Sequence, residues 1–361
     1  MKKVLVLGGT GAMGVPLVKK LSSLGFDVDV TSRKNRESTC SNVHYIKGNA
    51  HDYSFLKELL KIRYDIIVDF MSYKTDEFKL YCNLLCESAK QYIFISSCRV
   101  YAECDDLIKE DSPRLLDVTQ DQEFLKTDEY SLTKARQENT LIESDYDNWT
   151  IIRPTITYSN TRLQLGVLEK EYWLYRALHG RSIVFSKDIL NKITTMTTAD
   201  DVVDGIVAII GEKNAFREVF HITSEESYTW KEILDIYLRT IEDNTGKKCK
   251  VVLTEKAVSL KNPVQKYQII YCRYYNRRFD NSKIGKYINV NAFKSPKEGL
   301  QESLTGFLEN PQFGHIDWKL EAWNDIAAKE RTPLKEIHGK RNKLRYLGYR
   351  YNIKPIIYFF G

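Results

Sequence analysis

Several absences narrow the reading before any motif is considered. No apolar stretch reaches the roughly 20 residues that a membrane-spanning helix needs. The N-terminus carries a strand-like run, Val4 to Leu7, where a signal peptide would carry a longer apolar region and a cleavage site. A cytoplasmic protein is therefore expected. Cysteine is scattered, odd in number at seven, and forms no CxxC pair, which argues against both a disulfide framework and a structural zinc. Cys82 and Cys86, four apart, would share one helix face as buried small hydrophobes. Strong charge is missing too: the net +6 is mild and consistent with anionic ligands, a basic tail or plain solubility.

What is present is a chain of ordinary globular composition, 43% hydrophobic and 28% charged, long enough at 361 residues for a main domain with a second lobe. The apolar strand Lys3 to Leu7 is followed by Gly8-Gly9-Thr10-Gly11-Ala12-Met13-Gly14. Apolar residues at helical spacing come next (Val15, Leu17, Val18, Leu21, Leu24), then Gly25 and a second strand from Asp27 to Thr31. This is a βαβ unit with glycines at its first turn, where a backbone free of Cβ crowding can approach a phosphate. The spacing is not G-x-G-x-x-G, since the first gap is two residues wide. The whole loop, Gly8, Thr10, Gly11, Ala12, Met13 and Gly14, is the candidate pyrophosphate seat.

At the end of the second strand a carboxylate that would bind a ribose 2′-hydroxyl is lacking; Ser32, Arg33 and Lys34 stand there instead. Cations at that point suit a 2′-phosphate, so NADP is expected, with NAD as the alternative. Asp52, after a third strand at Val43 to Lys47, either accepts from the adenine amino group or caps the following helix. A fourth strand, Tyr64 to Phe70, and a fifth, Tyr92 to Ser96, keep the alternation going. Strand and helix in turn imply an α/β fold: a doubly wound parallel Rossmann-type sheet with ligands at the carboxyl ends of its strands.

The fifth strand runs into Ser96-Ser97-Cys98-Arg99-Val100-Tyr101, and Tyr130-Ser131-Leu132-Thr133-Lys134 opens a helix further on. Tyr130 and Lys134 lie one turn apart on one helical face. An ammonium near a phenol favours phenolate, which makes the tyrosine a usable acid or base.

In the order glycine loop, strand-end serine and Tyr-x-x-x-Lys, the chain resembles the extended short-chain dehydrogenase/reductases of the NAD-dependent epimerase/dehydratase group, which modify nucleotide sugars. Trp149 to Pro154, Thr198 to Val202 and Val219 to Ile222 continue the resemblance to about residue 235. The resemblance implies that Ser97 orients the reacting oxygen, that Tyr130 is the acid/base, and that Lys134 binds the nicotinamide ribose and tunes Tyr130. It also implies a nucleotide-sugar substrate and a homodimer. The Asp-Glu pair that dehydratases of this group carry after the strand-end hydroxyl is absent, with Cys98 and Arg99 in its place, so dehydration is disfavoured. A 4-keto-sugar reductase is expected, with a redox-neutral 4-epimerase or an epimerase-reductase as alternative and a non-catalytic NADP- or RNA-binding protein as the competing class.

The expected organisation is a Rossmann domain at 1–157, a first part of a discontinuous α/β substrate lobe at 158–190, a return to the Rossmann domain at 191–223, more substrate lobe at 224–328 and a tail at 329–361. Arg153, Arg162, Arg176 and Arg181 are pyrophosphate candidates by charge. The segment Tyr271 to Asp280 interleaves aromatics with arginines and reads either as a nucleic-acid surface or as a packed strand. From Lys329 to Lys354 the tail holds nine Lys or Arg and two Glu. It could reach an anionic membrane surface or RNA, pack against a partner subunit, or dock back on the protein with its charges in water.

Overall fold

The computed structural model describes residues 2–257 and 265–360. Residues 258–264, within the expected 224–328 lobe, and Gly361, at the end of the tail, lie outside the described residues. The chain forms two compact units. The first comprises Met1–Thr157, Thr195–Ser227 and Arg277–Pro296; the second comprises Tyr158–Thr194, Tyr228–Asn276 and Lys297–Gly361. Residues 277–296, expected in the substrate lobe, thus group with the first unit.

The first unit is built on seven parallel strands: β1 (Lys3–Leu7), β2 (Asp27–Ser32), β3 (Val43–Lys47), β4 (Tyr64–Asp69), β5 (Ala89–Ile95), β6 (Trp149–Pro154) and β7 (Glu218–Ile222). Their order is β7-β6-β5-β4-β1-β2-β3. The order reverses between β1 and β4, the switch point where a doubly wound sheet leaves a crevice at its carboxyl edge.

The unbroken apolar runs follow from burial on both faces. In β1, Val4 and Val6 face one core with Val28, Val30, Ile66 and Val68, covered by α1 (Gly14–Ser23) and the later helix α5 (Ala199–Ala208). Leu5 and Leu7 face the other core with Ile67, Tyr92, Phe94 and Ile151, covered by α2 (Tyr53–Leu59) and α3 (Thr75–Glu87). Each such side chain contributes about 1.5–3 kcal/mol. A one-residue slip of β1 would exchange the two sets. The helix α4 (Tyr130–Ile142) adds Leu141 to the second core.

In the second unit, Ile183–Ser186 pairs in parallel with Val251–Thr254. The helix Trp230–Thr245 opens on a Thr229–Glu232 capping box, with Trp230, Ile233, Leu234, Tyr237 and Ile241 buried. The basic tail is helical over Lys340–Tyr351 and Lys354–Phe360. Tyr346 is buried, donates its hydroxyl to Asp325 at 2.7 Å, and packs with Tyr175, Trp318 and Ile337, while Tyr358 stays 85% exposed. The Tyr271 to Asp280 segment is not a strand: Ile269–Arg273 forms a π-helical turn. Arg273 donates to the Gly166 carbonyl at 2.8 Å and Arg277 to the Tyr101 and Ala102 carbonyls at 2.9 Å, so both guanidiniums serve packing. No helix among the described residues is long and apolar enough to cross a membrane.

Candidate functional site

The glycine loop leaves β1 at the switch point, and its glycines do different work. Gly8 sits at φ +69°, a left-handed conformation that suits glycine, close against Phe70 and Met71. A Cβ on Gly14 would fall 2.5 Å from the Gly9 Cα, and one on Gly9 would meet Val6 and Val30 at 2.8 Å. Those two glycines let the loop close onto the start of α1. Gly11 is exposed, and a Cβ there would meet only the Gly8 carbonyl at 3.8 Å. Thr10 and Ala12 are half-buried beside it, whereas Met13 packs on the core.

The dinucleotide that such a loop implies fits these residues. No side chain caps α1 and no acidic residue stands in its first turn, while Asp52, Glu129 and Thr198 cap α2, α4 and α5. An uncapped helix start beside an open glycine is suited to a pyrophosphate.

Beyond β2, the Ser32 hydroxyl donates to the Lys34 carbonyl at 2.8 Å and is committed to its own turn. Arg33 and Lys34 are exposed, and their side chains make no hydrogen bond or ion pair among the described residues. Asp52 caps α2 with one oxygen, accepting from Ser54 N at 2.9 Å and Phe55 N at 3.2 Å.

The end of β5 splits its two serines. Ser96 turns inward and donates to Glu138 Oε1 at 2.6 Å. Ser97 accepts from Arg99 N at 3.2 Å and opens a short 3-10 turn. Cys98 is buried, its thiol donating to the Arg153 carbonyl at 3.0 Å.

Helix α4 brings up the other two expected groups. Glu129 caps it through Ser131 N at 2.7 Å, which fixes the first turn where Tyr130 stands 39% exposed. Lys134, one turn on, is buried and donates to the Met71 carbonyl at 3.1 Å and the Ile95 carbonyl at 2.8 Å, tying α4 to the ends of β4 and β5. Burial lowers its pKa to about 8, against the opposing pull of Asp69 and Glu138.

Two neighbours, Arg99 and Glu138, had no role assigned from the sequence. Arg99 lies with its guanidinium 5.1 Å from the Tyr130 ring centre and pairs with Glu129, a cation–π contact beside the candidate acid/base. Glu138 is fully buried and accepts from Ser96, from Arg153 at 2.7 and 2.8 Å, and from Arg114 at 3.2 Å. Its signal in the sequence was its place one turn beyond Lys134 on the same face.

The arginines picked by charge are spent elsewhere. Arg153 is held by Glu138, and Arg162 pairs with Glu169 at 3.4 Å. In the second unit, Arg176 bonds Glu321, Asp325 and Glu330, and Arg181 bonds Glu321 and Glu336. A guanidinium committed to carboxylates in this way, as Arg153 and Arg176 are, has no free donor fork to offer a pyrophosphate.

A seven-stranded parallel sheet with an uncapped glycine turn at its switch point defines the Rossmann-type, dinucleotide-binding α/β class. The chain belongs to the NAD dependent epimerase/dehydratase family, whose model matches residues 4–222. Similar folds occur in a UDP-glucuronic acid 4-epimerase from Bacillus cereus solved with UDP-glucuronic acid and NAD (18% identity, 85% of this chain and 99% of that one, TM-score 0.65). The epimerase Mth375 from Methanothermobacter thermautotrophicus is alike at 17% identity, over 86% of this chain and 93% of that one, with TM-score 0.65. Among curated proteins, the chain is 26% identical over 247 residues to the chloroplast stem-loop binding protein of 41 kDa b from Arabidopsis thaliana, a match covering 63% of this chain and 60% of that relative.

Proposed function

We propose that the protein transfers hydride at a ring carbon, C4 of a nucleotide-linked hexose, acting as an NADP-dependent 4-keto-sugar reductase. Tyr130 gives its proton to the carbonyl oxygen as C4 becomes tetrahedral, Ser97 holds that oxygen with its hydroxyl, and Lys134 keeps a cation near the phenol. The bound nicotinamide supplies the hydride. Gly8, Gly11, the first-turn amides of α1, and Arg33 with Lys34 hold the dinucleotide. The observation that carries the reading is the Lys134 ammonium, buried on two strand-end carbonyls one turn from Tyr130. A buried cation without a carboxylate hydrogen-bonded to it is poised to stabilise negative charge at the reacting phenol.

The exposed Arg33 and Lys34 support NADP, and a cofactor consumed as cosubstrate fits a reductase. Two observations favour other readings. The likeness to the Bacillus cereus 4-epimerase, solved with NAD, supports a redox-neutral epimerase. The name of the Arabidopsis relative supports stem-loop RNA binding. A panel of nucleotide sugars and both cofactors separates the three: the reductase oxidises NADPH only with a keto sugar, the epimerase changes sugar configuration by NMR with no net NADPH loss, and an RNA binder does neither.

A further inference from the structure

The candidate site occupies the carboxyl edge of the sheet. At the amino edge, the residues leading into β4, β5, β6 and β7, which are neighbours in the sheet, line a second concavity of about 820 Å³. Arg63, Lys90, Lys213 and Arg217 bring four positive charges to it, against two negative ones from Glu87 and Asp147. Lys90 pairs with Asp65 at 2.7 Å, and Glu87 accepts from the Tyr146 hydroxyl at 2.6 Å. Among the described residues the side chains of Arg63, Lys213 and Arg217 have neither a hydrogen bond nor an ion pair, whereas Arg153 and Arg176 are each paired with buried carboxylates. The hydrogen bond to Glu87 pushes the Tyr146 phenol up to about 12, so it adds no third negative charge near neutral pH.

Arg217 carries a second signal. Its φ is +59°, a left-handed conformation costing a non-glycine residue roughly 1–2 kcal/mol, and its N–H is held by the Trp149 carbonyl at 2.7 Å. Glycine or asparagine would fill that turn with less strain. Keeping an unpaired arginine there turns a backbone cost into a directed positive charge, and strain of this kind gathers at ligand sites.

We propose that the amino-edge concavity binds a nucleoside mono- or diphosphate, separately from the dinucleotide loop, with the phosphate on Arg63, Lys213 and Arg217. The half-buried rings of Tyr146 and Phe216 supply the wall for the base. The volume lies within the roughly 300–1,000 Å³ of small-molecule pockets and is larger than a lone phosphate needs.

ADP titrated calorimetrically into the full chain tests this through variants at one edge. Arg217→Gly suits the left-handed turn, so its fold should be retained by circular dichroism, and Lys213→Glu reverses a charge on an exposed side chain. Both should weaken one class of ADP sites at least tenfold while leaving NADP affinity and turnover unchanged. ADP binding identical to wild type in both variants overturns the site. Inorganic phosphate binding there as tightly as ADP, or adenosine binding with no need of phosphate, overturns the nucleotide assignment.

Discussion

Two buried cations, one in each unit, live under opposite electrostatic regimes. Arg176 is enclosed by Glu321, Asp325 and Glu330, with its Nε donating to the Ser182 carbonyl at 2.8 Å. Both terminal nitrogens are answered by carboxylates, and the network holds the helix Lys170–Leu178 to the helix Trp318–Ala328. Lys134 is equally dry but bonds two neutral carbonyls, and its pKa falls to about 8. The structural cation is matched by carboxylates; the under-compensated one, a turn from Tyr130, is the one proposed for chemistry.

The largest effect expected from this contrast is on turnover. Tyr130→Phe removes the proposed acid/base and nothing that Lys134 bonds, so turnover should fall about 10²–10⁴-fold with the unfolding midpoint unchanged. Steady-state kinetics alongside thermal unfolding read this, and near-normal turnover would remove Tyr130 from the mechanism.

The second unit should answer in stability instead. Arg176→Ala strands three carboxylates without their common partner and should cost about 3–5 kcal/mol in denaturant unfolding. A loss under about 1 kcal/mol would mean that the network is dispensable.

Lys134 should show its strain in pH dependence. Its folded pKa, about 8, lies below the ordinary 10.5, so between these values the unfolded chain keeps a proton that the folded chain has shed. Stability then rises with pH across that window, by up to about 3 kcal/mol, and below about pH 8 the burial cost is present in full. Comparing urea unfolding of wild type and Lys134→Met at both ends isolates the term; parallel curves would show that Lys134 is not strained.

The smallest expected effects divide the glycine loop. Gly14→Ala forces its Cβ onto the Gly9 backbone and should cost about 1–3 kcal/mol of stability. Gly11→Ala has room, so its stability should stay within about 0.5 kcal/mol while dinucleotide affinity falls. Equal destabilisation by both would erase the distinction.

Much of the first unit was legible because its signals are local. Unbroken β-branched runs, glycine punctuation and helical spacing after each strand place the sheet and its carboxyl edge. Tyr130 and Lys134 were legible because four residues fix a helical face. The arginines were not: Arg153, Arg176 and Arg181 read as ligand donors by charge, but the carboxylates that claim the last two stand about 140–155 residues away in sequence. The contact of Arg99 with Tyr130 was not legible for a related reason, since it crosses between a strand end and a helix start. The return of residues 277–296 to the first unit is likewise a tertiary outcome, made by Arg277 on the Tyr101 and Ala102 carbonyls and by the Ile108–Phe279 bridge.

The central claim is that the Ser97, Tyr130 and Lys134 arrangement performs hydride transfer on a nucleotide sugar. Incubating wild type with NADPH and a nucleotide-linked 4-keto-hexose, following absorbance and identifying the sugar by NMR, tests it most directly. The account predicts NADPH oxidation matched mole for mole by a 4-hydroxy sugar, lost in Tyr130→Phe. Absence of any sugar conversion across the nucleotide sugars, together with salt-sensitive RNA binding, would contradict it.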